Sequence, residues 1–590
     1  MTGHEPNINA LWAALLIEEL VRQGVTAFCI SPGSRSTPLT VAAANNERTE
    51  CVVHFDERGA AFHALGIARA TGRPAACICT SGTAVANYLP AAVEAAQSFV
   101  PLILITADRP PELIDTGANQ AILQRGIFGE YARWETTLPC PTTEIDPAFV
   151  LTTAAHASQR ARGPIAGPVH INCQFREPLA PTPSGEPWDA YLSPVSRWQS
   201  DEARAPFTAP TQTKLGIASD EQQRLALRLR KAQRGLLVVG QLADAMETAS
   251  VEQLARAWGW PVLPDITSGL RLGKASRGTL AHYDALLLSA RFQGRLAPDA
   301  VVHIGGPSVS KRLQQFLDDF APPLYLRVAG HPMRHDPHHR VTQRITVDIP
   351  RFCEWAVNGV ETKPDKAWLD PLSTADARIH STLEVHEATA ANLDEIVIAR
   401  TVARLIPNSH ALFLGNSMPI RDMDSYAGTG GAPARVYANR GASGIDGNLA
   451  TIAGIARGLG RPVSAVIGDL AVLHDLNALA LLKDVDTPVI LVVPNNDGGG
   501  IFNFLPIAAH ESVFEPYFAT PHGMQFEHAA AQFGLSYRRA ADAASLADAY
   551  RHAAGHKLHT LIEAPIERAA NTTAHRLLQG AIVDAAEEAL

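Results

Sequence analysis

Apolar positions along this chain keep two rhythms. Short unbroken runs, such as AACIC (Ala75 to Cys79), LILIT (Leu102 to Thr106), LLVV (Leu236 to Val239) and VILVV (Val489 to Val493), each stop at a turn of small or polar residues. Between them lie stretches with apolar residues spaced three to four apart, of which INALWAALLIEELV (Ile8 to Val21) is the first. Unbroken runs predict strands buried on both faces, and the periodic stretches predict the helices that cover them. Strand, helix and strand in succession predict parallel sheets joined by crossover helices. The expected fold class is therefore α/β, with three Rossmann-like domains whose central parallel sheets are flanked by helices.

Two polar stretches interrupt this rhythm, EPLAPTPSGEPW and its surroundings (Pro178 to Asp220) and Asn358 to Asp394. Both predict linkers. The expected domains are 1–180, 205–355 and 390–590, joined by linkers at 181–204 and 356–389. The outer two domains repeat each other: GIARATGRPAACICTSG (Gly66 to Gly82) aligns without a gap on GIARGLGRPVSAVIGDL (Gly454 to Leu470). Both continue through a helical stretch into a Pro-led strand, VPLILITADRP in one and TPVILVVPNND in the other. The alignment sets Ser81 opposite Asp469 and Glu57 opposite Ile445. A matched pair of such units predicts one ligand held at their strand C-terminal ends, each half touching a different part of it.

Composition narrows the function classes. A chain of 590 residues with 46% hydrophobic and 18% charged residues has material for several cores and is not disordered. Its net charge of −9 gives no support to nucleic-acid binding. The seven cysteines include no C-x-x-C pair, which argues for a reducing compartment and against a zinc or disulfide framework. The first residues carry Glu18 and Glu19 inside an apolar pattern and read as an amphipathic helix, not a signal peptide. No apolar run approaches the ~20 residues of a membrane span. A soluble cytoplasmic protein is expected.

Candidate chemistry collects where the runs stop. Asp469, in VIGDLAVLHDL, ends one predicted strand, and PNNDGGG (Pro494 to Gly500) ends the next. As a helix N-cap Asp469 would be ordinary, and the Gly run an Asx turn. Together, though, a carboxylate, the Asn496 amide oxygen and a carbonyl of the Gly run are hard oxygen ligands of the kind that hold Mg²⁺ on phosphates. The glycines would let the backbone come close to a diphosphate.

GDL followed by NND resembles the signature of thiamine-diphosphate (ThDP) enzymes, whose Asp and Asn hold the metal on the cofactor. Leu470 is bulkier than that signature's usual third residue. SPGSRSTPL, DERGAAF, CTSGTAVANYLPAAVEA, TADRPPEL, GANQAI, SVSKRL, GNSMPIRD, NRGASGIDG and NNDGGGIFNFLP together resemble, over nearly the whole chain, the MenD family of menaquinone biosynthesis. Gly59 and Asp497 depart from its pattern. The resemblance implies decarboxylation of 2-oxoglutarate on ThDP and addition of the succinyl unit to isochorismate. It implies Glu57 as the catalytic carboxyl against the aminopyrimidine ring, and Ile445 as the apolar prop that brings the cofactor's two rings together. Ser34, Ser81, Gly82, Leu470 and Ile501 complete the implied cofactor contacts. Asp469, Asn496 and Gly498 are the implied ligands of Mg²⁺, or of Mn²⁺ in its place. Arg421, Arg440 and Ser417 are implied for 2-oxoglutarate. Arg35, Arg109, Asn119, Gln120, Lys311 and Arg312 are implied for isochorismate, with Phe502 and Leu505 as an apolar wall. Arg35, Arg109, Arg421 and Arg440 all fall in predicted turns at strand ends, and Arg suits bidentate grip of the dianionic substrates. The family places each cofactor between two chains, which implies a homodimer or homotetramer.

Two other readings compete. An acetohydroxyacid-synthase-like carboligase often carries FAD in its middle domain, and VVGQLADA is no G-x-G-x-x-G fingerprint. A non-catalytic nucleotide-binding protein would not need Glu57, Asp469 and Asn496 together.

Overall fold

Seventeen strands form among the described residues of the computed structural model, which are 4–211, 213–273, 276 and 278–590. β1 (Ala27–Ile30), β2 (Glu50–Val53), β3 (Ala75–Cys79), β4 (Leu102–Asp108), β5 (Trp134–Leu138) and β6 (Pro168–Gln174) make one sheet in the order β2-β1-β3-β4-β6-β5. β7 (Gly235–Val239), β8 (Val262–Pro264), β9 (Ala300–Ile304), β10 (Leu324–Ala329) and β11 (Gln343–Thr346) make a second, ordered β11-β10-β9-β7-β8. β12 (Ala411–Leu414), β13 (Val436–Tyr437), β14 (Val463–Val466), β15 (Val489–Asn495), β16 (Ser536–Arg539) and β17 (Thr560–Pro565) make the third, ordered β13-β12-β14-β15-β17-β16. Every paired strand is parallel. The central strands β3, β4, β7, β9, β14 and β15 are buried along their whole length, as helix-covered parallel sheets require.

The first and third sheets have one topology. Each runs outward from its first strand and then crosses back, so the strand order reverses between β1 and β3 and again between β12 and β14. Ligands of open α/β sheets sit at such reversals, beyond the strand C-terminal ends. Cys29 of β1 and Cys77 and Cys79 of β3 are buried packing residues.

The chain divides into two compact units. The first holds the chain through residue 211 with Asn439–Gly460 and Leu473–Thr487; the second holds Thr213–Ala438, Arg461–Val472 and Pro488–Leu590. Two segments of the expected 390–590 domain thus fold into the first unit. There the repeat-related helices Glu57–Thr71 and Asn448–Leu459 touch backbone to backbone. A Cβ at Gly66 would lie 2.3 Å from the Thr451 carbonyl, and one at Gly454 2.1 Å from the His63 carbonyl. Both GIAR motifs open with glycine for this reason: each supplies the glycine that the other helix needs.

Neither expected linker is a loose tether. In 181–204, Trp188, Leu192, Val195 and Trp198 are buried in the first unit's core, and Trp198 donates to the buried Glu19 carboxylate at 2.8 Å. Glu19, which stands inside the apolar pattern of the first helix, therefore faces inward. In 356–389, Lys366–Thr389 is a helix that buries Trp368, Leu372, Ala375, Ile379 and Leu383 in the second unit. Each large apolar side chain so buried is worth ~1.5–3 kcal/mol, enough to hold the segment down. The apolar residues stand three to four apart, but a polar majority hid the pattern.

Candidate active site

In the second unit, Asp469 stands three residues past β14 and opens the helix Asp469–His474. It is 2% exposed. One carboxylate oxygen accepts the Leu470 N–H at 2.7 Å and the other the Gly498 N–H at 2.9 Å. His522 Nε2 lies 3.1 Å from that second oxygen. Burial pushes the Asp469 carboxyl up, while the Gly498 N–H and His522 pull it down. β15, the neighbour of β14, ends at Asn495. Asn496 follows, buried; its Nδ2 donates to Glu395 at 3.0 Å, and its Oδ1 finds no hydrogen-bond partner among the described residues.

The Gly run needs its glycines. Gly498 has φ +131, and a Cβ there would meet the Ala519 carbonyl at 2.0 Å. At Gly500 a Cβ would meet Asn496 Nδ2 at 2.4 Å. Asp497, with φ +57, caps the next loop, accepting from His522 N at 2.8 Å and Gly523 N at 2.7 Å. Ile501 and Phe502 lie in the following 3-10 turn, where Phe502 packs edge-on to Phe518. Leu505 ends that turn, 47% exposed. A buried carboxylate, an unpaired amide oxygen and a close-approach glycine backbone form a hard-oxygen set that fits a divalent cation on a phosphate group.

Ser417 follows β12 with φ +72, a value rare for a side-chain-bearing residue and typical of strained functional turns. Arg421 lies one turn inside the helix Met418–Tyr426, not in a loop as expected, and its guanidinium reaches back to the Ser417 carbonyl. Pro419 in the first turn starts that helix early. Lys311 opens the helix Lys311–Phe320 and is exposed. Beside it Arg312 is held by the buried Asp284 carboxylate, which also accepts from Ser310 and Ser425 at 2.5 Å.

In the first unit, Glu57 begins the helix Glu57–Thr71 behind the N-cap Asp56. It is partly exposed and accepts from Asn87 Nδ2 at 3.3 Å. Glycine at position 59 is explained here, since a Cβ would sit 2.6 Å from His54 Nε2. Ser34 and Arg35 lie in the turn after β1, and Ser81 and Gly82 in the turn after β3. The buried Ser81 hydroxyl has no partner among the described residues, and the Gly82 N–H donates to Gln124 at 3.0 Å. Arg35 is buried, bonded to the Phe175 carbonyl at 3.0 Å and paired with Glu177 at 3.3 Å. Burial and the charge of Arg109 both lower its pKa. Arg109 follows β4 and reaches Gln120, whose φ is +56; Asn119 is exposed. Arg440 and Ile445 share the loop Asn439–Gly447. Glu94 fixes one end of it, accepting from Gly441 N at 3.0 Å and Ala442 N at 2.7 Å; Asn448 donates to the Ile445 carbonyl at 2.7 Å. Ile445 is 37% exposed.

His522, Glu395, Gln124 and Glu94 escaped sequence reasoning. Each sits far along the chain from the residue it holds; Glu94 lies within CTSGTAVANYLPAAVEA, but nothing local marks it as the anchor of a distant loop.

Comparison with known proteins agrees with this picture. Three family models match: the N-terminal TPP binding domain of thiamine pyrophosphate enzymes over residues 12–127, the middle domain over 189–414, and the C-terminal TPP binding domain over 424–564. A 2-succinyl-5-enolpyruvyl-6-hydroxy-3-cyclohexene-1-carboxylate synthase of Rubrobacter xylanophilus is 49% identical over 98% of this chain and 100% of its own. The chain belongs to this synthase family. A synthase of the same name from Salinibacter ruber is 46% identical over 99% of this chain and 98% of its own, and one from Chlorobium phaeovibrioides 40% over 99% of both. A solved structure described as a thiamin diphosphate-dependent enzyme from Mycobacterium smegmatis superposes with a TM-score of 0.69 at 19% identity, covering 93% of this chain and 98% of its own, and shares the fold. A family member of this kind is a ThDP enzyme built from three parallel-sheet α/β domains. No described helix is long and apolar enough to cross a membrane.

Proposed function

We propose that this chain joins 2-oxoglutarate to isochorismate with loss of CO₂, forming the cyclohexene carboxylate for which its relatives are named. ThDP is the cofactor, held through Mg²⁺ or Mn²⁺. The observation that carries the reading is the set at the ends of β14 and β15. Buried Asp469 is tied to the glycine run, and the Asn496 amide oxygen is left open beside it.

ThDP when bound supplies the electron sink for decarboxylation. Asp469, Asn496 and the Gly498 carbonyl would hold the metal; Ser34, Ser81, Gly82, Leu470 and Ile501 would contact the cofactor; Ile445 would prop it. Glu57 would hold a proton at the aminopyrimidine ring nitrogen. Its carboxyl is partly exposed and accepts from Asn87 Nδ2. Arg421, Arg440 and Ser417 would grip 2-oxoglutarate, and the guanidinium of Arg421 is already aimed back at the strained Ser417 turn. Arg35, Arg109, Asn119, Gln120, Lys311 and Arg312 would receive isochorismate. Burial and the charge of Arg109 lower the Arg35 pKa while Glu177 raises it, so a substrate carboxylate would compete with Glu177 for this guanidinium. Phe502 and Leu505 would keep water from the reacting carbons. Incubation with ThDP, Mg²⁺, 2-oxoglutarate and isochorismate should give the named product by mass spectrometry. Equal use of pyruvate as donor would refute the substrate assignment.

A further inference from the structure

One buried polar cluster has no part in the reaction as described. Glu395, 5% exposed, opens the helix Glu395–Leu405. Its Oε1 accepts from Asn496 Nδ2 at 3.0 Å and its Oε2 from Asn571 Nδ2 at 2.8 Å, while Asn571 Oδ1 accepts the Glu395 N–H at 3.0 Å. One turn along the helix Arg568–Glu588, His575 Nδ1 faces the Asn571 carbonyl at 2.9 Å and Nε2 faces Asp422 Oδ1 at 3.1 Å. One ligand atom each of Glu395, Asp422 and His575 lies within 4.8 Å of the others, a spacing that a metal could use. The bonding says otherwise. Both His575 nitrogens face acceptors, and an imidazolium has no lone pair for a metal. The cluster is a hydrogen-bonded network, and its consequence falls on Asn496.

A primary amide has two unlike ends, and a hard cation takes only the oxygen. A carboxylate can only accept. Glu395 therefore fixes which end of the Asn496 amide points inward. The nitrogen is held on Glu395, and the buried oxygen is left without a partner among the described residues. Asn571 occupies the second Glu395 oxygen and the backbone N–H, so the carboxylate cannot swing away. Gly500 leaves room on the nitrogen side, where a Cβ would come within 2.4 Å of Nδ2.

We propose that Glu395 is a positioning residue for the metal site, setting the Asn496 amide with its oxygen toward the divalent cation. The inference rests on the reading of Asp469 and Asn496 as metal ligands. Partners behind a metal ligand typically change metal affinity 10–100-fold when lost. In Glu395→Gln the new amide can accept from Asn496 or from Asn571 but not from both, so Asn496 is free to turn. Mn²⁺ affinity of the full-length protein with saturating ThDP, followed by electron paramagnetic resonance, should fall at least ~10-fold. Turnover at saturating Mn²⁺ should largely return, with the KM for 2-oxoglutarate unmoved.

The swap Glu395→Gln with Asn496→Asp supplies the decisive comparison. An aspartate presents oxygen whichever way it turns, and the introduced glutamine amide can donate to it. Asn496→Asp alone sets two carboxylates against each other and should bind Mn²⁺ more weakly than the double variant. A carboxylate that merely ties helices together predicts no such rescue. Equal affinities for Asn496→Asp and the double variant, or an undiminished affinity in Glu395→Gln, would overturn the role of Glu395. Failure of the underlying reading looks different: Asn496→Ala would then bind Mn²⁺ with ThDP as tightly as the native protein.

Discussion

Glu57 and the arginines carry the sharpest tests at the scale of single residues. Glu57→Gln keeps the side chain's size and its bond to Asn87, so fold and ThDP binding should survive. Gln cannot share a proton, and acid–base groups contribute ~10²–10⁴-fold, so turnover should fall by that factor. Exchange of the thiazolium proton, read by NMR, should slow in step; exchange at the native rate would remove Glu57 from that role. The arginines divide by substrate. A charge-assisted hydrogen bond is worth ~1.5–3 kcal/mol, so Arg421→Ala should raise the KM for 2-oxoglutarate ~10–100-fold and leave isochorismate nearly untouched. Arg109→Ala should do the reverse. Steady-state kinetics varying one substrate at a time decides between them, and equal shifts in both KM values would contradict the division. The arginines stood out in the sequence because each falls in a predicted turn at a strand end; the fold places Arg35, Arg109 and Arg440 in loops past strand ends and Arg421 inside a helix.

Between elements, two features make the packing testable. Gly454→Ala would gain about 1 kcal/mol of helix propensity. Its methyl, however, would press on the His63 carbonyl, a backbone atom with nowhere to go, and overpacking costs ~1–3 kcal/mol. The clash should win, and the urea midpoint should fall. A rise would mean that the two helices can part without cost. The second feature is His575, which links the helix Arg568–Glu588 to Asp422 on the helix Met418–Tyr426. Burial lowers its pKa, but Asp422 and Glu395 outweigh that and push it up to about 9. The imidazolium is therefore favoured in the fold over the unfolded chain, whose histidines titrate near ~6.5. Its stabilisation is complete below that pH and is lost as pH rises through about 9. Melting temperatures from pH 6 to 10 should show an alkaline decline that flattens in His575→Gln. An unchanged decline would place the titrating group elsewhere.

For the whole molecule, the sharing of each cofactor by two copies, which the family resemblance implies, has a direct test. Glu57→Gln and Asp469→Ala should each be nearly inactive alone. If Glu57 comes from one chain and Asp469 from another, mixing the two variants after dissociation should restore activity, because some sites then draw both native residues. Mixtures as inactive as their components would assign both residues to the same chain. Ultracentrifugation of the native protein should show a dimer or tetramer.

The sequence by itself determined the sheets, their parallel sense and the repeated topology of the first and third. Those features are local: an unbroken apolar run must be buried on both faces, and a small-residue turn must follow it. It also brought Asp469 and Asn496 to adjacent strand ends, since strands joined by one crossover helix commonly lie side by side. Tertiary structure alone decided what holds these residues. Glu395 reaches Asn496, Gln124 meets Gly82, His522 meets Asp469 and Glu94 anchors the Arg440 loop, each from a separate stretch of chain. A buried polar side chain needs a partner, but nothing local says which. The same held for Lys366–Thr389, whose apolar face had no visible purpose until the surface that covers it was folded.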